Sequence, residues 1–396
     1  MARRLTCPYC YESFAPREIR FRCHSRLSPT GKKCETRRDQ VLDDRMGPRR
    51  SHDLGPDFAA DGRRPTAVCP DCDGETTYRI CPVCHSALPT QFGRADSRLI
   101  AMVGARASGK TVYMTVLLHE MRHRVGEAFG AHLMGLDDAT MRRYSSDYEN
   151  HLYGDNRMFP GTQTASTNLN RVDPLVFGFG LRRRGLLGER PQHTVLSFFD
   201  TAGEDFNSRE GVELNTRYLT GADGIVLLLD PLQMPGARDN ALPGTPLPGT
   251  EGLDAPINIL SRVTSLLLAP RSGRAAQKID TPIAVVFSKM DAFWHLLESG
   301  SPLRAHATPR GRFDVGDSLS VHEEVRRLLK DWDGVPIDHL LDNHYSRYRY
   351  FGVSALGRNP TPDARVAATG IQPYRVADPL LWLLSEFGSV PKAGRG

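Results

Sequence analysis

The sequence predicts an α/β domain built on a doubly wound, mainly parallel sheet, with a small cysteine-rich module in front of it. Three observations carry this prediction. From about residue 97, short apolar or β-branched runs at 98–103, 194–199, 224–229 and 282–288 alternate with helical stretches. This is the pattern of a parallel sheet with crossover helices. A glycine-rich segment separates the first run from the helical stretch after it, and all eight cysteines lie between Cys7 and Cys84.

Length and composition are ordinary for a globular protein. The chain has 396 residues, 40% hydrophobic and 24% charged, which suffices for one full-sized domain and one small module. No run approaches the roughly 18 consecutive apolar residues of a membrane span, and the first residues, MARRLTCPYC, lack the apolar core of a secretory signal. The composition therefore predicts a cytoplasmic protein without a membrane partner.

We expect two units, a zinc-binding ribbon module over residues 1–96 and the α/β domain over residues 97–390. Residues 38–66 are rich in Arg, Asp, Gly and Pro, and residues 233–256 are dense in Pro and Gly. These compositions predict a mobile linker and a flexible surface loop, respectively. The net charge is +5, and residues 1–96 hold 17 Lys and Arg against 13 Asp and Glu. Because the arginines are scattered, a solvated surface is favoured over a nucleic-acid-binding face.

The cysteines indicate metal sites. In a reducing cytosol, two thiolates on one tight CxxC turn converge on a tetrahedral Zn²⁺ ion instead of forming a disulfide. No thioredoxin-like βαβ pattern surrounds them, which disfavours a redox role. We expect two structural zinc ions, held by Cys7, Cys10, Cys23, Cys34, Cys69, Cys72, Cys81 and Cys84.

The spacing suggests a pairing of these ligands. Cys72 and Cys81 are separated by the eight residues DGETTYRI, enough for a short strand pair that carries two turns onto one ion, as in zinc ribbons. We therefore assign one site to Cys69, Cys72, Cys81 and Cys84. This leaves Cys23 and Cys34 as the local partners of Cys7 and Cys10, with interleaved pairing still open. His24 and His85 adjoin cysteines and are interpreted as bystanders.

The run GARASGKT fits a phosphate-binding loop: a glycine, four free residues, Gly-Lys and a hydroxyl. Gly109 lets backbone amides approach the phosphates, Lys110 reaches the β and γ phosphates, and the Thr111 hydroxyl ligates Mg²⁺. The motif predicts nucleotide binding by Gly104, Ala105, Arg106, Ala107, Ser108, Gly109, Lys110 and Thr111. A helix is predicted over Lys110 to Val125, and another over Val321 to Trp332, preceded by Ser320 with Glu323 three residues on.

A second motif follows the run at 194–199. Asp200, Thr, Ala, Gly203 and Glu204 come next in the chain. A carboxylate at the carboxyl end of a strand can hold the Mg²⁺ shell, and the Gly203 amide can meet a γ-phosphate.

Two motifs predict contacts with a purine. Ser288, Lys289, Met290 and Asp291 follow the apolar run that ends at Phe287. A carboxylate at this place accepts both guanine N1–H and N2–H, while the lysine stem lies over the ring. After the apolar pair Tyr350-Phe351, a small-residue turn offers backbone amides to guanine O6, through Ser354, Ala355 and Leu356.

These four motifs, in this order and at strand ends, resemble the Ras-like, translation-factor-related class of P-loop GTPases over residues 97 to about 390. With the zinc ribbons in front, the chain resembles bacterial double-GTPase-type proteins of multi-gene conflict or signalling systems. The resemblance implies a P-loop NTPase fold, GTP or GDP with Mg²⁺, and a guanine-nucleotide switch that signals to a protein effector or to co-encoded components. It implies ligand roles by motif position for Lys110, Thr111, Asp200, Gly203, Lys289 and Asp291.

Several residues bear on turnover. Thr162 is chosen as the switch I ligand of Mg²⁺, with Thr164 and Thr167 as alternatives. Glu204 stands where Ras-like enzymes keep the glutamine that orients water, so like-charge repulsion beside the γ-phosphate predicts slow hydrolysis unless Glu204 acts as a base. Arg106 either obstructs the transition state or neutralises its charge. Glu204 and Arg106 are therefore the candidate catalytic residues.

Alternatives remain at this stage. Ser288 replaces the usual asparagine or threonine, which weakens the guanine pattern without removing it, so adenine stays open. A nucleotide-dependent nucleic-acid-binding protein, gripping phosphate through the arginines of the module, is the second candidate function. A scaffold with a structural nucleotide is the third.

Overall fold

A computed structural model describes residues 4–46, 53–90, 92–93, 96–104, 107–159, 174–185, 188–198, 216–249, 255–269, 278–305 and 311–394, without the side chains of 96–97 and 182–193. Its N-terminal module is built from short strands in three small sheets. The strands are β1 (Leu5–Thr6), β2 (Ser13–Phe14), β3 (Arg20–Arg22), β4 (Asp57–Ala59), β5 (Ala67–Val68), β6 (Glu75–Thr76) and β7 (Arg79–Ile80). β1 pairs with β2, β5 pairs with β6, and β3 lies between β4 and β7.

The module differs from the sequence expectation over residues 38–66. This range contains a helix, α1 (Gln40–Met46), and the strand β4, which pairs antiparallel with β3. Leu42, Met46 and Phe58 are buried. Three apolar side chains in a polar segment, two of them four residues apart on one helical turn, suffice to anchor it against the rest of the module.

A seven-stranded sheet forms the core of the second unit, in the order β15-β13-β12-β8-β11-β10-β9. The strands of this unit are β8 (Asp96–Gly104), β9 (Ala131–Gly135), β10 (Leu175–Gly185), β11 (Gly188–Phe198), β12 (Gly224–Leu229), β13 (Ile283–Phe287), β14 (Phe313–Asp314), β15 (Tyr348–Gly352) and β16 (Lys392–Ala393). The five strands from β15 to β11 run parallel, which confirms the mainly parallel sheet. β10 and β9 extend it with antiparallel pairing.

Helices cover both faces of the sheet. They are α2 (Lys110–Arg122), α3 (Arg124–Phe129), α4 (Asp138–Arg143), α5 (Pro235–Arg238), α6 (Pro256–Leu268), α7 (Val315–Asp331), α8 (Val335–His344) and α9 (Asp378–Glu386), with a π-helix over Tyr144–Gly154. Residues 216–220 are also helical. In β8, Ile100 and Met102 join the core under α2 and α9, whereas Leu99, Ala101 and Val103 join the core under α6, α7 and α8. This alternation makes the sheet the shared wall of two apolar layers.

Two helix boundaries differ from the prediction. α2 ends at Arg122, and α3 follows it from Arg124 after a break at His123. α7 begins at Val315, not at Val321, because Asp314 is the N-cap and its side chain accepts from the amide of Asp317. Ser320 lies inside the helix, where its hydroxyl donates to the carbonyl of Gly316. The earlier cap was missed because an aspartate followed by Val-Gly resembles a turn.

The segment 233–256 contains ordered structure where a flexible loop was expected. A 3₁₀ turn at Pro231–Gln233 leads into α5, and Met234 and Ala237 are buried against the α6 and α7 layer. Residues 250–254 lie outside the described part of the chain. Throughout that part, no helix has the length and apolar character needed to cross a membrane.

Candidate nucleotide-binding site and cysteine centres

The predicted phosphate loop joins the central strand to a helix. β8 ends at Gly104, and α2 begins at Lys110 with Gly109 as its N-cap in the left-handed region, at φ 81° and ψ 20°. A Cβ at Gly104 would lie 2.6 Å from Ser108 Oγ and 2.9 Å from the carbonyl oxygen of Leu228. Gly104 is therefore fixed by close packing, and Gly109 by its backbone angle. A Cβ at Gly109 would meet nothing within 4 Å, so open space faces the amino end of α2, where a phosphate would bind.

Two described side chains of the predicted phosphate loop, Ser108 and Lys110, are buried. Thr111 lies in the first turn of α2, and its carbonyl accepts from the Thr115 hydroxyl at 2.8 Å. Ala105 and Arg106 lie outside the described residues.

The two predicted purine motifs converge. The Ser354 hydroxyl, just after β15, donates to Asp291 Oδ1 at 2.6 Å, and it accepts from the Gly357 amide at 2.9 Å. Burial raises the pKa of Asp291, and the hydrogen bond from Ser354 opposes that rise. A half-buried carboxylate of this kind is stabilised by further donors, which a purine edge can supply.

The motif after β13 also holds the phosphate loop. The Ser288 hydroxyl lies 2.9 Å from the carbonyl oxygen of Ser108. Lys289 has a left-handed backbone with φ 55°, and its Nζ donates to the carbonyl of Ala107 at 2.9 Å. The serine that departs from the usual asparagine or threonine thus contacts the loop directly.

The sequence reasoning missed Asp230. This aspartate follows β12, and its side chain is fully buried. Oδ2 lies 2.5 Å from Lys289 Nζ, and Oδ1 accepts from the Leu232 amide at 2.9 Å. The sequence signal for Asp230 was an acidic residue directly after the wholly apolar run Gly224–Leu229, at the same sheet edge as the other motifs.

Fewer backbone amides are available to guanine O6 than the sequence predicts. The Ser354 amide donates to the carbonyl of Tyr374 at 3.1 Å, so it is not available to guanine O6. The amides of Ala355 and Leu356 keep that role as a prediction.

Other predicted site residues fall outside the described part of the chain. These are Thr162, with its alternatives Thr164 and Thr167, and the motif residues Asp200, Gly203 and Glu204. The last described residue before Asp200 is Phe198 at the end of β11, a strand that pairs in parallel with β8. Their roles remain predictions.

The cysteines form two buried groups, with a pairing different from the one assigned. The first cysteine group is Cys7, Cys10, Cys81 and Cys84, and the second is Cys23, Cys34, Cys69 and Cys72. The assignment of Cys69, Cys72, Cys81 and Cys84 to one site is therefore wrong, and the interleaved alternative is correct.

The strand pairing explains the interleaving. β3 runs antiparallel to β7, with Arg20 opposite Ile80. Cys81, just after β7, therefore lies at the amino end of β3, whereas Cys23 lies beyond its carboxyl end. The eight residues between Cys72 and Cys81 therefore connect the two groups and do not fold back onto one ion.

Both groups fit a tetrahedral zinc ion. Sγ–Sγ distances are 3.8 Å for Cys7–Cys84 and Cys10–Cys81, 3.6 Å for Cys23–Cys72 and 3.7 Å for Cys34–Cys69. Four sulfurs about 2.3 Å from one zinc ion lie about 3.8 Å apart, whereas a disulfide joins sulfurs about 2.05 Å apart.

The backbone around the cysteines is also that of a metal-binding turn. The residues after the three CxxC pairs, Tyr11, Asp73 and His85, have φ of 63°, 60° and 57°. Such strain in non-glycine residues needs compensation from the structure around it. Burial raises the pKa of the Cys7 thiol, so a thiolate at this position needs a cation beside it.

Two other clusters have the donor types of a metal site, but arginines supply their positive charge. Glu149 lies 2.9 Å from His119 Nδ1 and 3.0 Å from Arg122. Asp39 bonds to His85 and to the buried Arg22. Burial opposes ionisation of Asp39, but the hydrogen bonds from Arg22, the Leu42 amide and His85 outweigh it and lower its pKa to about 2. His85 is thus a neighbour of the first cysteine group and not a member, as expected.

The strand order, the loop before α2 and the convergence of the edge motifs define a P-loop nucleotide-binding protein of the α/β class. No family model matches the chain. The chain is 31% identical over 329 residues to the "Putative ESX-1 scaffolding and assembly protein SaeC" of Mycolicibacterium smegmatis, over 78% of this chain and 80% of that protein. It belongs to the same family as SaeC.

Solved structures show weaker similarity. The Ski7 GTPase-like domain of S. cerevisiae bound to GTP is 14% identical with a TM-score of 0.32, over 74% of this chain and 50% of that one. The bacterial selenocysteine-specific elongation factor EF-Sec is 13% identical with a TM-score of 0.29, over 74% and 29%. Aquifex aeolicus Era bound to GDP.AlF4- is 13% identical with a TM-score of 0.28, over 76% and 58%. All these scores lie below 0.5, so the class is assigned from strand order and loop geometry.

Proposed function

We propose that this chain is a GTP-binding switch with slow hydrolysis, whose nucleotide state acts on a protein assembly. One observation carries the proposal: the base-side and phosphate-side motifs form one connected site. Ser354 holds Asp291 at 2.6 Å, and Ser288 and Lys289 bond to the carbonyl oxygens of the phosphate loop.

Asp291 supports guanine as the base. A carboxylate accepts two hydrogen bonds from the N1–H and N2–H of guanine. Adenine presents an acceptor at N1 and no amino group at C2, so it would desolvate the half-buried carboxylate of Asp291 and add no donor to the hydrogen bond from Ser354.

The phosphate chemistry is assigned by motif position. Lys110 would contact the β and γ phosphates, and Thr111, Asp200 and Thr162 would hold Mg²⁺. Gly203 would offer its amide to the γ-phosphate. Slow hydrolysis follows from Glu204 in the place of a water-orienting glutamine, with Arg106 as the second candidate catalytic residue.

A protein partner is favoured over nucleic acid. The relative SaeC is described as a scaffolding and assembly protein. In the N-terminal module, at least four of the fifteen arginines are already paired with carboxylates: Arg20 with Asp57, Arg22 with Asp39, Arg38 with Asp43 and Arg63 with Asp61. Paired arginines contribute little to a phosphate-binding surface. The cytoplasmic location and the resemblance to double-GTPase-type proteins remain predictions.

Equilibrium binding of fluorescent GTP, GDP and ATP to the zinc-loaded chain tests the proposal. GTP and GDP should bind at least about 100-fold more tightly than ATP. The variant Asp291→Asn should lose guanine nucleotide by a similar factor and gain xanthosine triphosphate, because its amide can donate to the C2 carbonyl of xanthine. The proposal is overturned if ATP binds as tightly as GTP, or if Asp291→Asn leaves the base preference unchanged.

A further inference from the structure

The turn that carries Cys7 and Cys10, here called the first knuckle (residues 7–12), packs directly on the nucleotide domain. Val176 of β10 and Val195 of β11 belong to the same apolar cluster as the first cysteine group. The Tyr9 hydroxyl donates to Asp137, the N-cap of α4, at 2.8 Å. The first knuckle thus packs against β10, β11 and the start of α4 in the nucleotide domain.

One contact lies at the end of β11. The buried Ser197 hydroxyl donates to the carbonyl of Pro8 at 2.8 Å. Ser197 stands three residues before Asp200, the predicted Mg²⁺ ligand. The first knuckle therefore holds the chain as it enters the segment 199–215.

Two more contacts lie where the chain leaves that segment. The rings of Tyr11 and Tyr218 have centroids 4.9 Å apart, and Arg217 donates to Glu12 Oε1 at 3.4 Å. Tyr11 and Tyr218 are both buried. Both flanks of 199–215 are therefore fixed to the same six-residue turn.

Tyr218 continues the connection to the phosphate loop. β11 pairs with β8 only as far as Leu99. Beyond that point, the Tyr218 hydroxyl accepts from the Met102 amide at 2.9 Å and donates to the Ile100 carbonyl at 3.1 Å. The Tyr218 hydroxyl thus bonds to backbone groups of β8 that a neighbouring strand would otherwise pair with. Met102 lies two residues before Gly104.

We propose that Tyr11 is a positioning residue of the nucleotide site, and that the first cysteine group is coupled through Tyr11 and Tyr218 to the bound nucleotide. The inference rests on the proposed function and deepens it. Ser197 on one side of 199–215, and Arg217 and Tyr218 on the other, contact the knuckle, so any shift of these flanking residues that accompanies GTP binding must be accommodated there. By linkage, the order of the knuckle and the preference for GTP over GDP then influence each other.

The second cysteine group offers a matched control. Its cluster consists of module residues, and none of its described members comes from the nucleotide domain. Tyr78 stacks on His24 beside this group, with ring centroids 6.0 Å apart. Tyr78→Leu thus changes an aromatic contact near a cysteine group without touching the flanks of 199–215.

The experiment compares Tyr11→Leu, Tyr11→Phe and Tyr78→Leu in the full chain, each loaded with zinc. Titration with fluorescent GTP and GDP gives the affinity ratio. We expect Tyr11→Leu to change this ratio by at least about fivefold, the lower range of coupling between sites. Tyr11→Phe keeps the ring and should match the wild type, and Tyr78→Leu should stay within about twofold of it.

A second readout needs no nucleotide. Hydrogen exchange of the Met102 amide and of the amides in 216–220 should be faster in Tyr11→Leu than in Tyr78→Leu, with both variants retaining two zinc ions per chain. A wild type that fails to bind guanine nucleotide overturns the proposed function. A Tyr11→Leu variant with wild-type exchange overturns the coupling, and so does one with an unchanged affinity ratio in a chain that binds GTP.

Discussion

Lys289 and Asp230 form an ion pair, with Nζ 2.5 Å from Oδ2, between the carboxyl ends of two adjacent parallel strands. The lysine is one-third exposed, whereas the aspartate is fully buried. The same ammonium group bonds to the phosphate loop at Ala107. The pair therefore connects the end of β12, the end of β13 and the loop before α2.

Loss of Lys289 should leave a buried, unpaired carboxylate. We expect Lys289→Met to lower the free energy of unfolding by roughly 2–3 kcal/mol, below the usual cost for a fully buried pair because the lysine is partly exposed. Asp230→Asn keeps an acceptor for the Leu232 amide and removes the charge. It should therefore restore part of the stability in the Lys289→Met background.

Urea unfolding of the two single variants and the double variant measures this coupling. A positive coupling of about 0.5–3 kcal/mol is expected. Strictly additive effects would show that the pair does not act as a unit.

Ser354 should control nucleotide affinity through Asp291. Ser354→Ala removes the donor that holds Oδ1 and leaves the Gly357 amide without its acceptor. We expect GTP affinity to fall about tenfold, which corresponds to ~1.4 kcal/mol. Ser385→Ala is the control, because Ser385 is also buried and donates to a carbonyl in α9. Equal affinities for the two variants would contradict the role of Ser354.

Zinc content distinguishes the two cysteine pairings. In the observed arrangement, Cys7 and Cys81 share one group, and Cys69 belongs to the other. The double variant Cys7→Ala/Cys81→Ala should therefore lose one zinc ion per chain, and Cys69→Ala/Cys81→Ala should lose both.

The pairing assigned from spacing gives the opposite result, one ion lost for Cys69/Cys81 and two for Cys7/Cys81. Metal analysis of purified chains reads this directly. Variants that fail to accumulate would be compared after refolding with a defined amount of zinc.

His322 should make stability depend on pH. Burial lowers its pKa to about 4, and its Nδ1 accepts from the Tyr350 amide at 3.0 Å, which requires the neutral ring. The unfolded chain takes up a proton near pH 6.5 and the folded chain only near pH 4. The unfolded state therefore binds more protons in this window, and stability falls as the pH drops from about 6.5 to about 4.

Replacement by glutamine removes this titration and keeps an acceptor. Between pH 7 and pH 4.5, the wild type should lose on the order of 2 kcal/mol more stability than His322→Gln. Parallel urea titrations at both pH values measure the difference. Identical losses would mean that the ring is protonated in the folded state.

The sequence predicted the parts of the site that follow from strand ends. Asp291 and Ser354 are 63 residues apart, yet both were placed at the carboxyl edge because each follows an apolar run. Asp230 satisfies the same rule but was not chosen, since a lone acid before a Pro-rich segment matches no motif. β10 was missed for a different reason: after Leu-Val-Phe the strand continues as GFGLRRRG, which lacks β-branched residues, and cross-strand pairing with β11 compensates.

The cysteine pairing could not be predicted from the spacing of neighbouring cysteines. The spacer between Cys72 and Cys81 has the right length to fold back, but β3, some 60 residues earlier, pairs with its second half instead. A contact between residues so far apart in the chain cannot be detected from the spacing within about ten residues. The same limit applies to Tyr218, whose hydroxyl serves the backbone of β8 from more than 100 residues away.

The cysteine groups have a consequence for how the chain is made. Every cysteine of the two groups precedes residue 85, whereas β10 and β11, which pack on the first group, begin only at Leu175 and Gly188. On the ribosome, a module that binds zinc through these cysteines would be complete before β10 and β11 have emerged. Zinc supplied during synthesis should therefore raise the yield of native chain, while the same amount added to a collapsed product arrives too late to act as a template.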